Sequence, residues 1–177
     1  MTTSHSTRIL TLDVHPLSFG FVVTEGPDRL IDWGARSFRH GVNAVKVPMS
    51  KKLALLLDEY RPDVLVVREP RARISRRMKL IAKSAAARRI LLHTIPTKSM
   101  RATLPDSNWN KHQIATAVAA HYPELSPCLP AKRKPWQSEK YGMSVFEAAA
   151  LGLTYFRRHA LRRQTESFRR PPGGVAR

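Results

Sequence analysis

Asp63-Val64-Leu65-Val66-Val67-Arg68-Glu69 holds four consecutive apolar residues, entered through one acid and left through an arginine and a second acid. An unbroken apolar run of strand length, without the alternation of a half-buried strand, suits a strand covered on both faces, and so a sheet flanked by helices. The residues before it agree. Helical spacing of Leu53, Leu56, Leu57 and Tyr60 predicts a helix over 43–60, stopped by Arg61-Pro62. Upstream, 9–13, 19–24 and 30–38 read as three antiparallel strands, separated by Pro16-Leu17-Ser18 and by the turn Glu25-Gly26-Pro27-Asp28. Downstream, 74–89 is an Ala-rich basic helix and 90–95 a short strand before Pro96. A third helix is expected over 110–121, with Ile114, Val118 and Tyr122 at helical spacing, and a fourth over 144–163, after a Pro- and Lys-rich linker at 127–140. The expected class is α/β: a mixed five-stranded sheet, three antiparallel strands and then two parallel, with helices on its faces.

With 177 residues, 42% of them hydrophobic, the chain suits one domain able to bury its own core. The expected division is a flexible N-terminus at 1–7, a folded domain at 8–163 and a basic tail at 164–177, where Phe168-Arg169-Arg170-Pro171-Pro172-Gly173-Gly174 offers too little apolar surface to fold alone. Lys and Arg number 31 against 13 Asp and Glu, a formal charge of +18 and a pI near 11.2. An excess of that size attracts polyanions by releasing their counterions, so nucleic acid is the expected partner. No apolar stretch is long enough to span a bilayer, and no basic amphipathic segment carries Trp and Phe on its other face, so no membrane partner is expected. Met1-Thr2-Thr3-Ser4-His5-Ser6-Thr7 lacks the features of an export signal, and the lone Cys128 excludes an internal disulfide or a Cys-rich zinc site. The expected location is a reducing, cytoplasmic one, at the nucleoid.

In so basic a chain, three acids stand in apolar settings. Asp13 closes Arg8-Ile9-Leu10-Thr11-Leu12-Asp13, Glu69 closes the strand quoted first, and Glu147 interrupts Ser144-Val145-Phe146-Glu147-Ala148-Ala149-Ala150-Leu151. Acids placed where hydrocarbon should be buried need a cation or a function to stay ionised. If the first and fourth strands lie side by side, their terminal acids approach, and a helix across the sheet can add the third. Oxygen ligands in that array suit Mg²⁺. Two such ions, roughly 3.5 to 4 Å apart, clamp an attacking water and the leaving oxygen of a phosphodiester. Each acid also has a plainer explanation. Asp13 before Val14-His15-Pro16 is a good turn former, Glu69 has Arg68, Arg71 and Arg73 as partners, and Ser144 with Glu147 matches a Ser-x-x-Glu capping box.

Taken in order, Ile9-Leu10-Thr11-Leu12-Asp13 with Ser18-Phe19-Gly20-Phe21-Val22-Val23, then Val64-Leu65-Val66-Val67-Arg68-Glu69, Ile95-Pro96-Thr97-Lys98-Ser99-Met100-Arg101, Lys111-His112-Gln113-Ile114 and Phe146-Glu147-Ala148-Ala149-Ala150-Leu151-Gly152-Leu153 resemble the ribonuclease H-like fold, and within it the RuvC-type Holliday junction resolvases. The resemblance covers about residues 8–156. It implies that Asp13, Glu69 and Glu147 are both catalytic residues and ligands of Mg²⁺ or Mn²⁺, that the substrate is branched DNA, and that the protein acts as a homodimer. Two departures stand out. The family's Asp-Pro-Gly is Asp13-Val14-His15-Pro16 here, and the earlier of its two helix acids is Ser144, which leaves Glu139, His15 or a substrate phosphate to complete the ligand set.

From Arg68 to Arg89 the cations Arg71, Arg73, Arg76, Arg77, Lys79 and Lys83 give a helix-length positive face after Glu69, extended by Lys98 and Arg101 beyond the fifth strand. In Lys132-Arg133-Lys134 with Trp136, an aromatic ring beside charges can stack on an unpaired base, or anchor the linker. The histidines show no His-x-x-x-His pair, Cys128 has no neighbour to activate it, and no Gly-Lys-Ser or Gly-Lys-Thr loop is present. Two functions follow from this pattern: a metal-dependent endonuclease on branched or structured DNA, and a non-catalytic nucleic-acid-binding protein, RNA- or ribosome-associated, on the same fold.

Overall fold

A computed structural model describes residues 6–38, 48–69, 75–102, 108–131 and 142–169, with no account of the side chains of 75, 101–102 and 163–169. Three strands open it: β1 (Arg8–Val14), β2 (Ser18–Glu25) and β3 (Arg29–Ser37). They pair antiparallel in turn, and the β2–β3 turn needs Gly26, whose φ of 71° is left-handed. Helix α1 (Met49–Tyr60) follows, then β4 (Val64–Arg68), α2 (Ser75–Ala86) and β5 (Leu91–Ile95). β4 pairs parallel to β1 and β5 parallel to β4, so the sheet runs β3-β2-β1-β4-β5. The mixed five-stranded sheet expected from the sequence is present.

β4 shows why its apolar run is continuous. Val64 and Val66 enter the core on one face of the sheet, while Leu65 and Val67 enter the core on the other. β1 alternates the same way: Leu10, Leu12 and Val14 meet Leu53, Leu56 and Leu57 of α1 and Ile81 and Ala85 of α2. Ile9, on the opposite face, joins a core with residues of α4 (Lys111–His121) and α5 (Met143–Arg169). Two-sided coverage makes β1 and β4 the rigid centre, and full burial of side chains such as Leu10, Leu65 and Phe146 contributes about 1.5–3 kcal/mol each.

Three elements differ from the sequence expectation. A short helix, α3 (Thr97–Ala102), and a 3-10 turn, Pro123–Cys128, occupy stretches for which no helix was expected. Helix α5 continues to Arg169, past the expected tail boundary at 163, and the rest of that tail lies outside the described residues. Pro123 at the start of the 3-10 turn is what hid it, since proline both ends α4 and suits the first position of a new turn.

Candidate metal centre

Strand register decides which side chains meet at the carboxyl end of the sheet centre. In the parallel β1–β4 ladder Leu12 pairs with Val67, so the next residues out, Asp13 and Arg68, lie side by side. Both point to the α5 face, in phase with Ile9 on β1 and with Val64 and Val66 on β4. Glu69 is one residue further, in the opposite phase, and is exposed, with its backbone N–H donating to the Ile95 carbonyl at 2.9 Å. The register thus corrects one expectation: Glu69 does not join Asp13, and a cation stands where the third acid was expected.

Glu147 arrives from α5, and Gly20 sets how closely. The first turn of α5 lies so near β2 that a Cβ on Gly20 would sit 2.3 Å from the Ser144 carbonyl carbon and oxygen. Ser144 is buried there as the second residue of the helix, which begins at Met143, so it is not the cap of a Ser-x-x-Glu box. One turn on, Glu147 is 3% exposed and Asp13 1%. The Arg68 guanidinium Nη2 bridges them, 3.2 Å from Asp13 Oδ1 and 3.2 Å from Glu147 Oε1. On the other oxygens, His15 Nε2 lies 2.6 Å from Asp13 Oδ2 and 3.8 Å from Glu147 Oε2. Lys111 Nζ donates to Glu147 Oε2 at 3.3 Å.

Local structure holds these cations in place. The His15 turn closes through its N–H to the Ser18 carbonyl at 2.9 Å, and Arg77 of α2 donates to the Pro16 carbonyl at 2.5 Å. Lys111 opens α4, where Asn110 and Gln113 form a reciprocal capping box of 3.0 and 2.9 Å. A cation at a helix N-terminus is disfavoured by about 0.3–1 kcal/mol, which the Glu147 contact offsets.

The electrostatics follow from burial and pairing. Burial pushes the Asp13 carboxyl up, but the His15 hydrogen bond and the Arg68 charge outweigh it and leave Asp13 below the ordinary carboxylate range. Burial and then the Asp13 charge push Glu147 up, against Arg68 and Lys111. The Asp13 hydrogen bond raises His15. The two acids therefore shift in opposite directions: Asp13 holds its charge more firmly than an ordinary carboxylate, and Glu147 less firmly. Because the folded form raises His15, its stabilising contribution is complete below the ordinary 6.5 and is lost as pH rises through the elevated value. Glu147 has the same sign, whereas the Asp13 contribution is lost only as pH falls through its depressed value. Metal-free protein should show a urea midpoint that falls as pH rises above the ordinary imidazole value of 6.5, with a shallower fall in His15→Ala. A midpoint that is flat or rising over that range in the wild type contradicts this coupling.

One possible ligand atom from each of Asp13, His15 and Glu147 lies within 4.8 Å of the other two, the one such grouping of three among the described residues. Two carboxylates and an imidazole suit an ion that accepts mixed oxygen and nitrogen ligands, such as Mn²⁺, better than Mg²⁺ with its preference for oxygen. Arg68 already neutralises one carboxylate charge, so the residues fit one divalent ion and not two. Of the wider basic set, Arg76, Lys79 and Lys83 are exposed on α2 and Lys98 on α3, while Arg77 is half-buried with its guanidinium 5.6 Å from the Phe38 ring centre. Arg71, Arg73, Lys132, Arg133, Lys134, Trp136 and Glu139 lie outside the described residues, as does the Arg101 side chain.

Solved structures with this architecture include RuvC of T. thermophilus in complex with a Holliday junction substrate, at 14% identity and a TM-score of 0.63, covering 87% of this chain and 96% of that one. The Fowlpox virus resolvase, solved with Holliday junction DNA, matches at 12% identity and 0.54, covering 86% and 99%. The chain has the RuvC resolvase fold. The yeast mitochondrial Holliday junction resolvase Ydc2 matches it at 13% identity and 0.51, over 92% of this chain and 86% of that one. No protein-family model matches the sequence, and no curated protein does. Among the described residues no helix is long and apolar enough to cross a membrane.

Two members of the site had weak sequence signals. Lys111 follows Asn110 with Gln113 three residues after the cap, the signature that makes it the first residue of a helix. Arg68 reads as a surface partner until strand register and pleat place it in phase with the buried acids.

Proposed function

We propose that the protein is a divalent-metal-dependent endonuclease acting on branched DNA, with one ion held by Asp13, Glu147 and His15. The observation that supports this reading is the meeting of two almost fully buried carboxylates with an imidazole at the carboxyl end of the central strands, on a fold shared with Holliday junction resolvases. An ion so held would supply water activation and stabilisation of charge on a phosphodiester. Asp13 and Glu147 would offer it anionic oxygens. Arg68 fixes both carboxylates from the side away from His15, and the half-exposed Lys111 ammonium meets an incoming phosphate. His15 would meet the ion as the neutral imidazole, giving up the proton that its 2.6 Å contact with Asp13 favours. With Arg68, His15 and Lys111 around two carboxylates, the pocket has little negative charge to spare, so the ion and the phosphate bind best together. A homodimer would present two such centres to the two symmetric strands of a junction.

The test is cleavage of a synthetic four-way junction with Mn²⁺, with Mg²⁺ and with chelator. Wild type is expected to cut with Mn²⁺ better than with Mg²⁺. Asp13→Asn is expected to lose at least about 100-fold in rate, some 2.7 kcal/mol of transition-state stabilisation, with junction affinity unchanged or improved because a negative charge is gone. Equal cleavage by both proteins would reject the metal centre.

One observation favours a second reading. Arg68 supplies the two acids with a permanent cation, as an ion would, which is what a binding protein that has given up catalysis needs to keep the pocket folded. Tight junction binding by the wild type with no cleavage under any divalent ion supports that alternative.

A further inference from the structure

β3 is an edge strand of nine residues, and its ladder with β2 decides which of its backbone groups face outward. Just past the end of that ladder the Phe38 N–H donates to the Leu17 carbonyl at 2.7 Å. Antiparallel pairs alternate between bonded and unbonded from that point. Arg36, Gly34 and Asp32 therefore exchange bonds with β2, while Trp33 and Ala35 turn their N–H and C=O groups away from it. Among the described residues those outward groups meet one partner, the Arg36 guanidinium, whose Nη1 donates to the Ala35 carbonyl at 3.3 Å. A long strand with such an edge is a template for another strand. Its side chains sort by face. Asp32 accepts from the Tyr60 hydroxyl at 2.5 Å and Arg36 stands 5.0 Å over the Phe21 ring, both on the α1 side, where Gly34 also lies against Phe21. Trp33 and Ala35 pack against the core under α5.

We infer that β3 is an interface between two copies of this chain, paired antiparallel about Gly34 into one sheet of ten strands. The edge is self-complementary in that register. Gly34 meets the partner's Gly34 at an unbonded position, where strands approach to about 4.5 Å between Cα atoms, and neither brings a side chain. Trp33 lies opposite the partner's Ala35, large against small, and these are the residues whose outward N–H and C=O groups await bonds. Asp32 lies opposite the partner's Arg36 on the α1 side, so two ion pairs flank the glycines. Moving the axis to Trp33 or to Ala35 sets Asp32 or Arg36 against a glycine and loses both pairs. When Arg36 turns to the partner's Asp32, the N–H of the partner's Trp33 replaces it on the Ala35 carbonyl. The pairing also fixes where two acidic centres go. Asp13 is level with Gly20 and, through it, with Ala35, two strands in from the edge. Two copies therefore hold their Asp13 residues five strand spacings apart, about 24 Å across the sheet, on one face of it. The use of two centres rests on the nuclease reading above, whereas the pairing does not.

The test is sedimentation velocity on the full chain, free of nucleic acid and in chelator, over a concentration series. Wild type should pass from monomer to dimer as concentration rises. Ala35→Pro removes only an outward N–H, so β2 keeps its ladder and the dimer should be lost. Arg36→Ala should weaken association about fivefold through the loss of two cross-strand pairs. Tighter association of that variant would make Arg36 a guard of the edge and overturn the inference. Opposite charge reversals give the decisive arm. Arg36→Glu leaves acids at both positions and Asp32→Lys leaves cations at both, so each variant should stay monomeric alone. An equimolar mixture of the two should form a one-to-one dimer, because every position then faces its opposite charge. Recovery in the mixture excludes misfolding as the cause of the loss, and circular dichroism checks that each variant is folded beforehand. A wild type that stays monomeric throughout, a dimer that survives Ala35→Pro, or a mixture of folded variants that does not associate would each overturn β3 as the interface. Junction cleavage enters none of these readouts. A dimer that cuts no junction therefore rejects the nuclease reading alone, and a monomer that cuts one rejects the interface alone.

Discussion

Arg68→Met is expected to be the most destabilising single change in the acidic centre, lowering unfolding free energy by about 3–5 kcal/mol in metal-free buffer. The guanidinium is 13% exposed and touches both Asp13 and Glu147, so its removal leaves two buried carboxyls facing each other with their main counter-charge gone. Methionine keeps much of the volume, so the loss measures charge more than cavity. Two further results identify the cause. Adding Asp13→Asn to Arg68→Met should recover part of the loss, since fewer uncompensated charges remain buried. Mn²⁺ should raise the urea midpoint of Arg68→Met more than that of the wild type, because an ion would take over the role of the missing cation, stabilising by about 2.7 kcal/mol at a hundredfold excess over its dissociation constant. A variant that unfolds with the wild type, or that ignores Mn²⁺, would mean that Arg68 is not the counter-charge of this pocket.

That arginine also shows where sequence reading succeeded and where it stopped. The sheet was legible because β1 and β4 are hydrophobic on both faces, a pattern only a covered central strand explains, and because turn chemistry at Pro16 and Gly26 separates the first three strands. Asp13 and Glu147 were legible for a related reason: an acid in an apolar run is costly unless something meets it. Glu69 looked equivalent because it closes the β4 run as Asp13 closes that of β1. What separates them is phase, since one residue of shift along a strand moves a side chain to the other face. The phase is set by the pairing of Leu12 with Val67, which the sequence does not display. His15 was named beforehand as one way to complete the ligand set, since it lies two residues from Asp13. Lys111 was hidden differently: it is an ordinary helix-start residue locally, and acquires its role only when β1, α4 and α5 come together.

Gly20→Ala tests whether that assembly depends on the close approach of α5 to β2. The added methyl carbon would meet the Ser144 carbonyl carbon and oxygen at 2.3 Å, and these are backbone atoms that no rotamer change can move aside. The first turn of α5 must shift outward or β2 must bend, and overpacking of this kind costs about 3 kcal/mol, at the upper end of its usual range. The shift carries Glu147 with it, because Glu147 sits one turn beyond Ser144 on the same rigid helix. Stability and site should therefore fail together: a lower urea midpoint, a smaller rise of that midpoint with Mn²⁺, and weaker coupling between Arg68→Met and Asp13→Asn in a double-mutant cycle. The comparison that separates packing from chemistry is Ser144→Ala, which removes only a hydroxyl and leaves the carbonyl in place. That variant should keep the α5 approach and the Mn²⁺ response. If Gly20→Ala matched it on both, the first turn of α5 would have room to give, and the position of Glu147 would have to be explained by its contacts with Arg68 and Lys111 alone.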